Sequence, residues 1–207
     1  MAKGYNLIGT YHSPPTNSFL STHPNVTLHQ LQIENRASID AFYESIKGIN
    51  HIDFFTSTIG CYTINRFEKT PIETFEKDFS VNFMEQVYIL QKLTAHFGKG
   101  SNIVLILTEM VAGRTPSFLS TYLTSKYALL GLMKGLSREF EPKGIRVNAV
   151  SPGMMDTKFI SSMPQFVKET YVKNSRNGRF TLPEEVAKAV EKILSDQTIN
   201  GENIAVF

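Results

Sequence analysis

With 207 residues, 42% of them hydrophobic and 19% charged, the chain is long enough to bury one sizeable core. The net charge of +2 is scattered, which argues against a nucleic-acid partner, and no apolar run reaches membrane-spanning length or reads as a signal peptide. The five histidines stand apart from one another and Cys61 is the single cysteine, so neither a metal spacing nor an internal disulfide is expected, and a cytoplasmic setting is.

In chain order, residues 5–11 read as a strand that runs into a polar loop with Pro14 and Pro15, and residues 26–33 as a second strand. Residues 38–46 place Ile39, Phe42 and Ile46 on one helical stripe. Residues 52–58 are a third strand. Residues 72–97 are expected to form one long helix, with Phe79, Phe83, Val87 and Leu90 along one side. The apolar run 102–108 is a strand. The next helix reaches to about Phe140, with Leu129, Leu132, Met133, Leu136 and Phe140 turned inward. Residues 145–153 are a strand ending in a turn, and residues 202–207 close the chain as another. Thr181 and Glu184 fit a capping box before a last helix. Residues 158–181 show no clear pattern and are expected to be a loop, a candidate substrate lid. The alternation predicts one α/β domain over residues 1–207, a parallel sheet with helices on both faces.

One short stretch carries chemistry. In "STYLTSKYALLGL" the helix spacing puts Tyr122 and Lys126 on the same face, one turn apart. A free tyrosine has a pKa of about 10, too high for acid-base work at neutral pH. A cation about 4 Å away contributes roughly 4 kcal/mol at an effective dielectric near 20, close to three pKa units. Lys126 is therefore expected to bring Tyr122 toward neutrality, and no histidine or cysteine is arranged to compete for the role.

"YLTSK", followed later by "NAVSPGMMDT", resembles the short-chain dehydrogenase/reductase family. The resemblance covers essentially the whole chain. It implies a three-layer, Rossmann-like α/β fold. Tyr122 and Lys126 match the family's YxxxK pair, and Asn82 in "FSVNFM" matches its helix asparagine, which holds a proton-relay water. Pro152, Gly153 and Thr157 match the PGxxxT turn that meets the nicotinamide end of NAD(P). Gly60 is what remains of the family's NNAG, which reads Ser57-Thr58-Ile59-Gly60 here. The position of the catalytic serine falls on Glu109, or on Met110 if one aligns on "VAG", and Thr108 is the nearest hydroxyl. Glu109 is thus a candidate second acid-base group. The family's first β-α unit, with its TGxxxGxG phosphate loop, should precede "AKGYNLIGTY", where Met1 stands.

Three readings follow from the resemblance. The first is an enzyme in which Tyr122 and Lys126 move a proton on a small carbonyl or alcohol substrate, with little or no NAD(P) bound by this chain alone. The second is an NAD(P)(H)-dependent oxidoreductase whose loop comes from upstream sequence or a partner. The third is a non-catalytic subunit of a full-length relative. A homodimer or homotetramer is expected, through the helices at 75–97 and 122–140, with a hetero-oligomer as the alternative. No metal, membrane or nucleic acid is expected.

Overall fold

The computed structural model describes residues 4–14, 22–113 and 115–207. Its strands are β1 (Leu7–Tyr11), β2 (Val26–Gln30), β3 (Phe54–Ser57), β4 (Asn102–Ile106), β5 (Arg146–Pro152) and β6 (Asn203–Val206). Its helices are α1 (Arg36–Ile46), α2 (Ile72–Phe79), α3 (Glu85–Leu93), α4 (Ser120–Glu139), α5 (Gln165–Asn174) and α6 (Pro183–Ser195). Every strand pair is parallel, and β3-β4-β5-β6 lie side by side in that order.

The apolar run at β4 is what a parallel strand covered on both faces requires. Alternate residues feed opposite layers. Ile103 and Leu105 join Leu129, Met133 and Ala149 beneath α4, whereas Val104 joins Val150, Val186 and Ile193 beneath α6. Two buried amides tie the layers together. Asn102 Nδ2 donates to the Ile193 carbonyl at 3.0 Å, and Asn148 Nδ2 donates to Asn102 Oδ1 at 3.2 Å. No helix among the described residues is long and apolar enough to cross a membrane.

Four features depart from the sequence expectations. The sheet is in two parts: β1 pairs only with β2, and β3 has β4 on one side and no strand on the other among the described residues. The Tyr5 ring meets Phe54 edge-on across this break, with centroids 5.4 Å apart. Leu7 and Ile8 on β1 remain 43% and 38% exposed. The helix expected over 72–97 is interrupted by a π turn at Ser80–Met84 and ends in a 3-10 turn at Thr94–His96. A π turn inserts one residue into the ladder and re-aims a side chain, and the fully buried Asn82 sits in it.

The last helix caps one residue later than Thr181 and Glu184 imply. Pro183 occupies the first helical turn, and the Glu185 carboxylate accepts from the Leu182 N–H at 2.8 Å. Thr181 instead donates to the Val206 carbonyl at 3.5 Å. Residues 158–181 hold a 3-10 turn at Lys158–Ile160 and the ten-residue α5. None of the α5 residues is fully buried, which is why no apolar stripe announces it.

Candidate active site

α4 begins one residue after Leu119 and brings its first two turns against the end of β4. Lys126 is only 3% exposed, and its Nζ donates to the Ile106 carbonyl at 2.9 Å. The same nitrogen stands 5.8 Å from the centroid of the Tyr122 ring. Thr108 follows β4, its Oγ1 accepting from the Met110 N–H at 3.5 Å, and it lines the same cavity as Tyr122.

The electrostatics differ from the sequence expectation. Burial pushes the Tyr122 phenol up to about 12, against a smaller downward pull from the Thr108 hydroxyl. Burial also pulls Lys126 down to about 8. The expected drop of Tyr122 toward neutrality is therefore not found: the ammonium is turned to the Ile106 carbonyl, and desolvation outweighs it. At neutral pH the pair is a neutral phenol beside a largely protonated amine, which is a proton donor with a stabilising charge at its back.

Asn82 closes the floor. Its Oδ1 accepts from the Cys61 N–H at 2.7 Å, and its Nδ2 donates to the Cys61 carbonyl and to Ser125 Oγ, both at 2.9 Å. Ser125 in turn donates to the Tyr122 carbonyl at 2.7 Å. The loop at residues 59–61 is thereby pinned to α4. A Cβ on Gly60 would sit 3.6 Å from Asn82 Oδ1 and 3.8 Å from Lys126 Nζ, in ordinary contact with both, which places this residue directly over the amide and the amine. Behind it, Thr121 Oγ1 donates to Asp78 Oδ2 at 2.7 Å, and the Cys61 thiol donates to Asp78 Oδ1 at 3.5 Å. Burial, with Asp78 beside it, pushes that thiol up to about 12, so Cys61 is no nucleophile here.

Tyr122, Lys126, Gly60, Pro152, Gly153 and Thr157 line one cavity of about 840 Å³. Gly153 is required sterically: a Cβ there would come within 2.5 Å of Thr181 Oγ1 and 2.6 Å of Tyr171 Oη. Glu109 is not brought to the Tyr122 cavity. It lines a second cavity, of about 550 Å³, and accepts from Tyr171 Oη at 2.6 Å. Burial, together with Glu109, holds the Tyr171 phenol above its ordinary range. Asn82, also a candidate, touches the cavity floor through Gly60 rather than the cavity itself. Ser125 and Asp78 escaped sequence reasoning, because an ordinary helical serine and aspartate carry no signal until their partners are in place.

Among the described residues, those the motifs name fit the ring end of the implied nicotinamide cofactor. Gly60, Pro152, Gly153 and Thr157 leave an open apolar wall suited to a flat ring. A diphosphate needs free backbone N–H groups at a helix start. Two helix starts border this cavity, those of α4 and α6, and at α6 Pro183 has no N–H and the Leu182 N–H is taken by Glu185.

Comparison with known proteins agrees with this geometry. A family model described as Enoyl-(Acyl carrier protein) reductase matches residues 1–206. An uncharacterized oxidoreductase of Schizosaccharomyces pombe is 32% identical over 174 residues, which are 81% of this chain and 58% of that protein. The 3-oxoacyl-(acyl-carrier-protein) reductase FabG of Aquifex aeolicus is 27% identical over 181 residues, 86% of this chain and 73% of its own. The dehydrogenase/reductase SDR family member 4 of Mus musculus is 33% identical over 140 residues, 65% of this chain and 50% of its own. The chain thus spans between half and three-fifths of the first curated relatives it matches. A crystal structure of a dehydrogenase/reductase from Sinorhizobium meliloti superposes with a TM-score of 0.88 at 22% identity, covering 99% of this chain and 84% of that one. Motifs, fold and relatives converge: the chain belongs to the short-chain dehydrogenase/reductase family.

Proposed function

We propose that this chain is the catalytic part of an oxidoreductase that interconverts a carbonyl and an alcohol on a small molecule, with Tyr122 as the proton donor. The observation that carries the reading is the half-buried phenol of Tyr122, one helical turn from the buried ammonium of Lys126 and sharing with Thr108 the wall of a mostly apolar cavity. A phenol held neutral at working pH is suited to protonate a carbonyl oxygen as negative charge develops there. Thr108, on the same cavity wall, offers its hydroxyl to the same oxygen, a role the sequence alone would give to Glu109. Lys126 favours the phenolate that remains. Asn82 acts at one remove, by holding the residues 59–61 loop and Ser125 against α4. A nicotinamide cofactor, when bound, supplies or accepts the hydride.

The motif residues at the cavity serve the ring end of such a cofactor, and this chain alone is expected to bind NADH and NADPH weakly. A second reading rests on the break in the sheet. Among the described residues, β1 and β3 each have one edge without a strand partner, as expected of a chain that acts within an assembly whose other member completes the sheet.

The test is carbonyl reduction, assayed by NAD(P)H consumption over a panel of aldehydes and ketones at saturating cofactor, with wild type and Tyr122→Phe side by side. Turnover lost in the variant, with folding retained, supports the reading. Turnover that persists in Tyr122→Phe overturns it. Absence of turnover in the wild type, followed by its appearance on addition of a full-length relative, transfers the reading to the assembly.

A further inference from the structure

Two cavities meet at one wall. The cavity around Tyr122 and the cavity behind Glu109 and Tyr171 have Met110, Leu119, Met154 and Met163 in common and no other residue. Three of the four are methionines, and Met155 on the Tyr122 side makes four of the chain's seven methionines at this site. Unbranched thioether side chains rearrange easily to fit irregular apolar shapes. The wall is therefore built to part rather than to seal.

The second cavity has an apolar mouth. Phe118 and Phe166 line it while remaining 51% and 70% exposed. Phe118 has a φ of +70°, the only non-glycine residue with positive φ among the described residues, and its carbonyl is held by the Asn65 N–H at 3.0 Å. A bulky side chain in that backbone region is strained, and such strain is kept where a position is functionally fixed. The two charged residues lining this cavity are both engaged. Glu109 accepts from Tyr171, and the Arg176 guanidinium lies 4.9 Å from the centroid of the Phe207 ring. Glu109 is thus taken up by Tyr171, and Arg176 stands exposed, its charge met by solvent.

We propose that the compound acted on at Tyr122 carries a long, uncharged apolar tail that passes between Met110, Met154 and Met163 into the second cavity. The proposal rests on Tyr122 marking the reacting end, and adds the substrate class. It makes Phe118 and Phe166 the apolar lip around the far end of that tail.

Binding, measured without turnover, tests it independently of the catalytic reading. The probes are 2-hexanone and 2-undecanone, titrated by calorimetry or by NMR of the methyl-labelled methionines. Each methylene fully buried is worth about a fourfold gain in affinity, so five more are expected to tighten binding by at least about 30-fold. Val167 and Thr170 line the second cavity and not the first. Val167→Trp is expected to fill it, bringing 2-undecanone down to the affinity of 2-hexanone while leaving 2-hexanone unchanged. Thr170→Trp, at an exposed position, is the second variant should the first fail to fold. Equal affinity for the two ketones, binding of neither, or a length effect that survives the tryptophan variants overturns the proposal. Loss of turnover in Tyr122→Phe is read separately and has no bearing on this result.

Discussion

Lys126 Nζ donates to the Ile106 carbonyl across 2.9 Å, joining the second turn of α4 to the end of β4. This bond holds an ammonium that burial disfavours. Its pKa falls from the ordinary 10.5 to about 8. The sign of the linkage follows. Between those two values the unfolded chain binds more protons than the folded one, so stability rises as pH rises through that window. Below it, the folded protein carries the full cost of the buried charge, about 3 kcal/mol at 1.36 kcal/mol per pKa unit. Lys126→Met removes that cost and loses a hydrogen bond worth about 1 kcal/mol. The variant is expected to be about 2 kcal/mol more stable than wild type at pH 7, and to lack the rise above pH 8. Urea unfolding from pH 6 to 10 measures both. A variant less stable than wild type at pH 7 would show that the ammonium is a net support of the fold.

The same residue sets the pH dependence of turnover. Loss of its charge above about 8 removes the stabilisation of the phenolate left by Tyr122. Reduction of a carbonyl substrate is therefore expected to fall as pH rises through about 8. Lys126→Met is expected to be slower by about 10²-fold and flat across that region, at the low end of the span ascribed to acid-base assistance. A wild-type rate that keeps rising to pH 10 would remove Lys126 from the mechanism.

Thr108→Val tests the hydroxyl that the phenol meets. The change keeps the branched shape and deletes the hydroxyl that shares the cavity wall with the phenol. It is expected to lower kcat by about 10²-fold with little change in KM, the size of a removed preorganised donor. Glu109→Gln, whose side chain faces Tyr171 and the second cavity, is expected to leave kcat within about threefold. Steady-state kinetics on one ketone settles both, and the reverse order of effects would return the role to Glu109.

The helix face that carries Tyr122 and Lys126 was legible because a spacing of four residues is enough to define it. The strand at β4 was legible because its apolar run has no helical alternative. The π turn at Asn82 was not, because the extra residue leaves the apolar periodicity of 72–97 almost unchanged while redirecting one side chain. The lowering of Tyr122 failed for a different reason. The spacing fixed the distance between two residues but not their burial, and burial decided the sign. Thr108 was visible only as the nearest hydroxyl, since no sequence rule states which way a residue just past a strand will point. The helix α5 left no trace because it buries none of its residues completely.

Gly153→Ala probes the turn after β5. The new methyl would lie 2.5 Å from Thr181 Oγ1 and 2.6 Å from Tyr171 Oη, contacts that force both side chains to move. Overpacking of this kind is expected to cost about 1–3 kcal/mol. Tyr171→Phe removes one of the two crowding oxygens, so the double variant is expected to recover part of the loss. Denaturation midpoints of the two single variants and the double give the coupling, and strict additivity would mean that the clash is relieved elsewhere.

The break in the sheet makes a prediction about dynamics. The Leu107 N–H is bonded to the Val150 carbonyl at 2.8 Å, and the Leu7 N–H to the Asn25 carbonyl at 2.8 Å, so both amides are paired. Their surroundings differ. Leu107 is buried beside β4, a strand paired on both edges, whereas Leu7 is 43% exposed on a strand that, among the described residues, is paired on one edge only. Amides with few buried apolar neighbours exchange by local opening, and amides of a central strand exchange only when the whole domain opens. In native-state hydrogen exchange, Leu7 and its neighbours on β1 and β2 are expected to exchange together, at an opening free energy several kcal/mol below that of Leu107 and the β4 and β5 amides. Addition of a chain that pairs with the open edges of β1 and β3 is expected to raise the protection of β1 toward that of β5. Equal protection of Leu7 and Leu107 in the isolated chain would mean that β1 and β2 already fold as one unit with the larger sheet, and that the break between them is not a weak point.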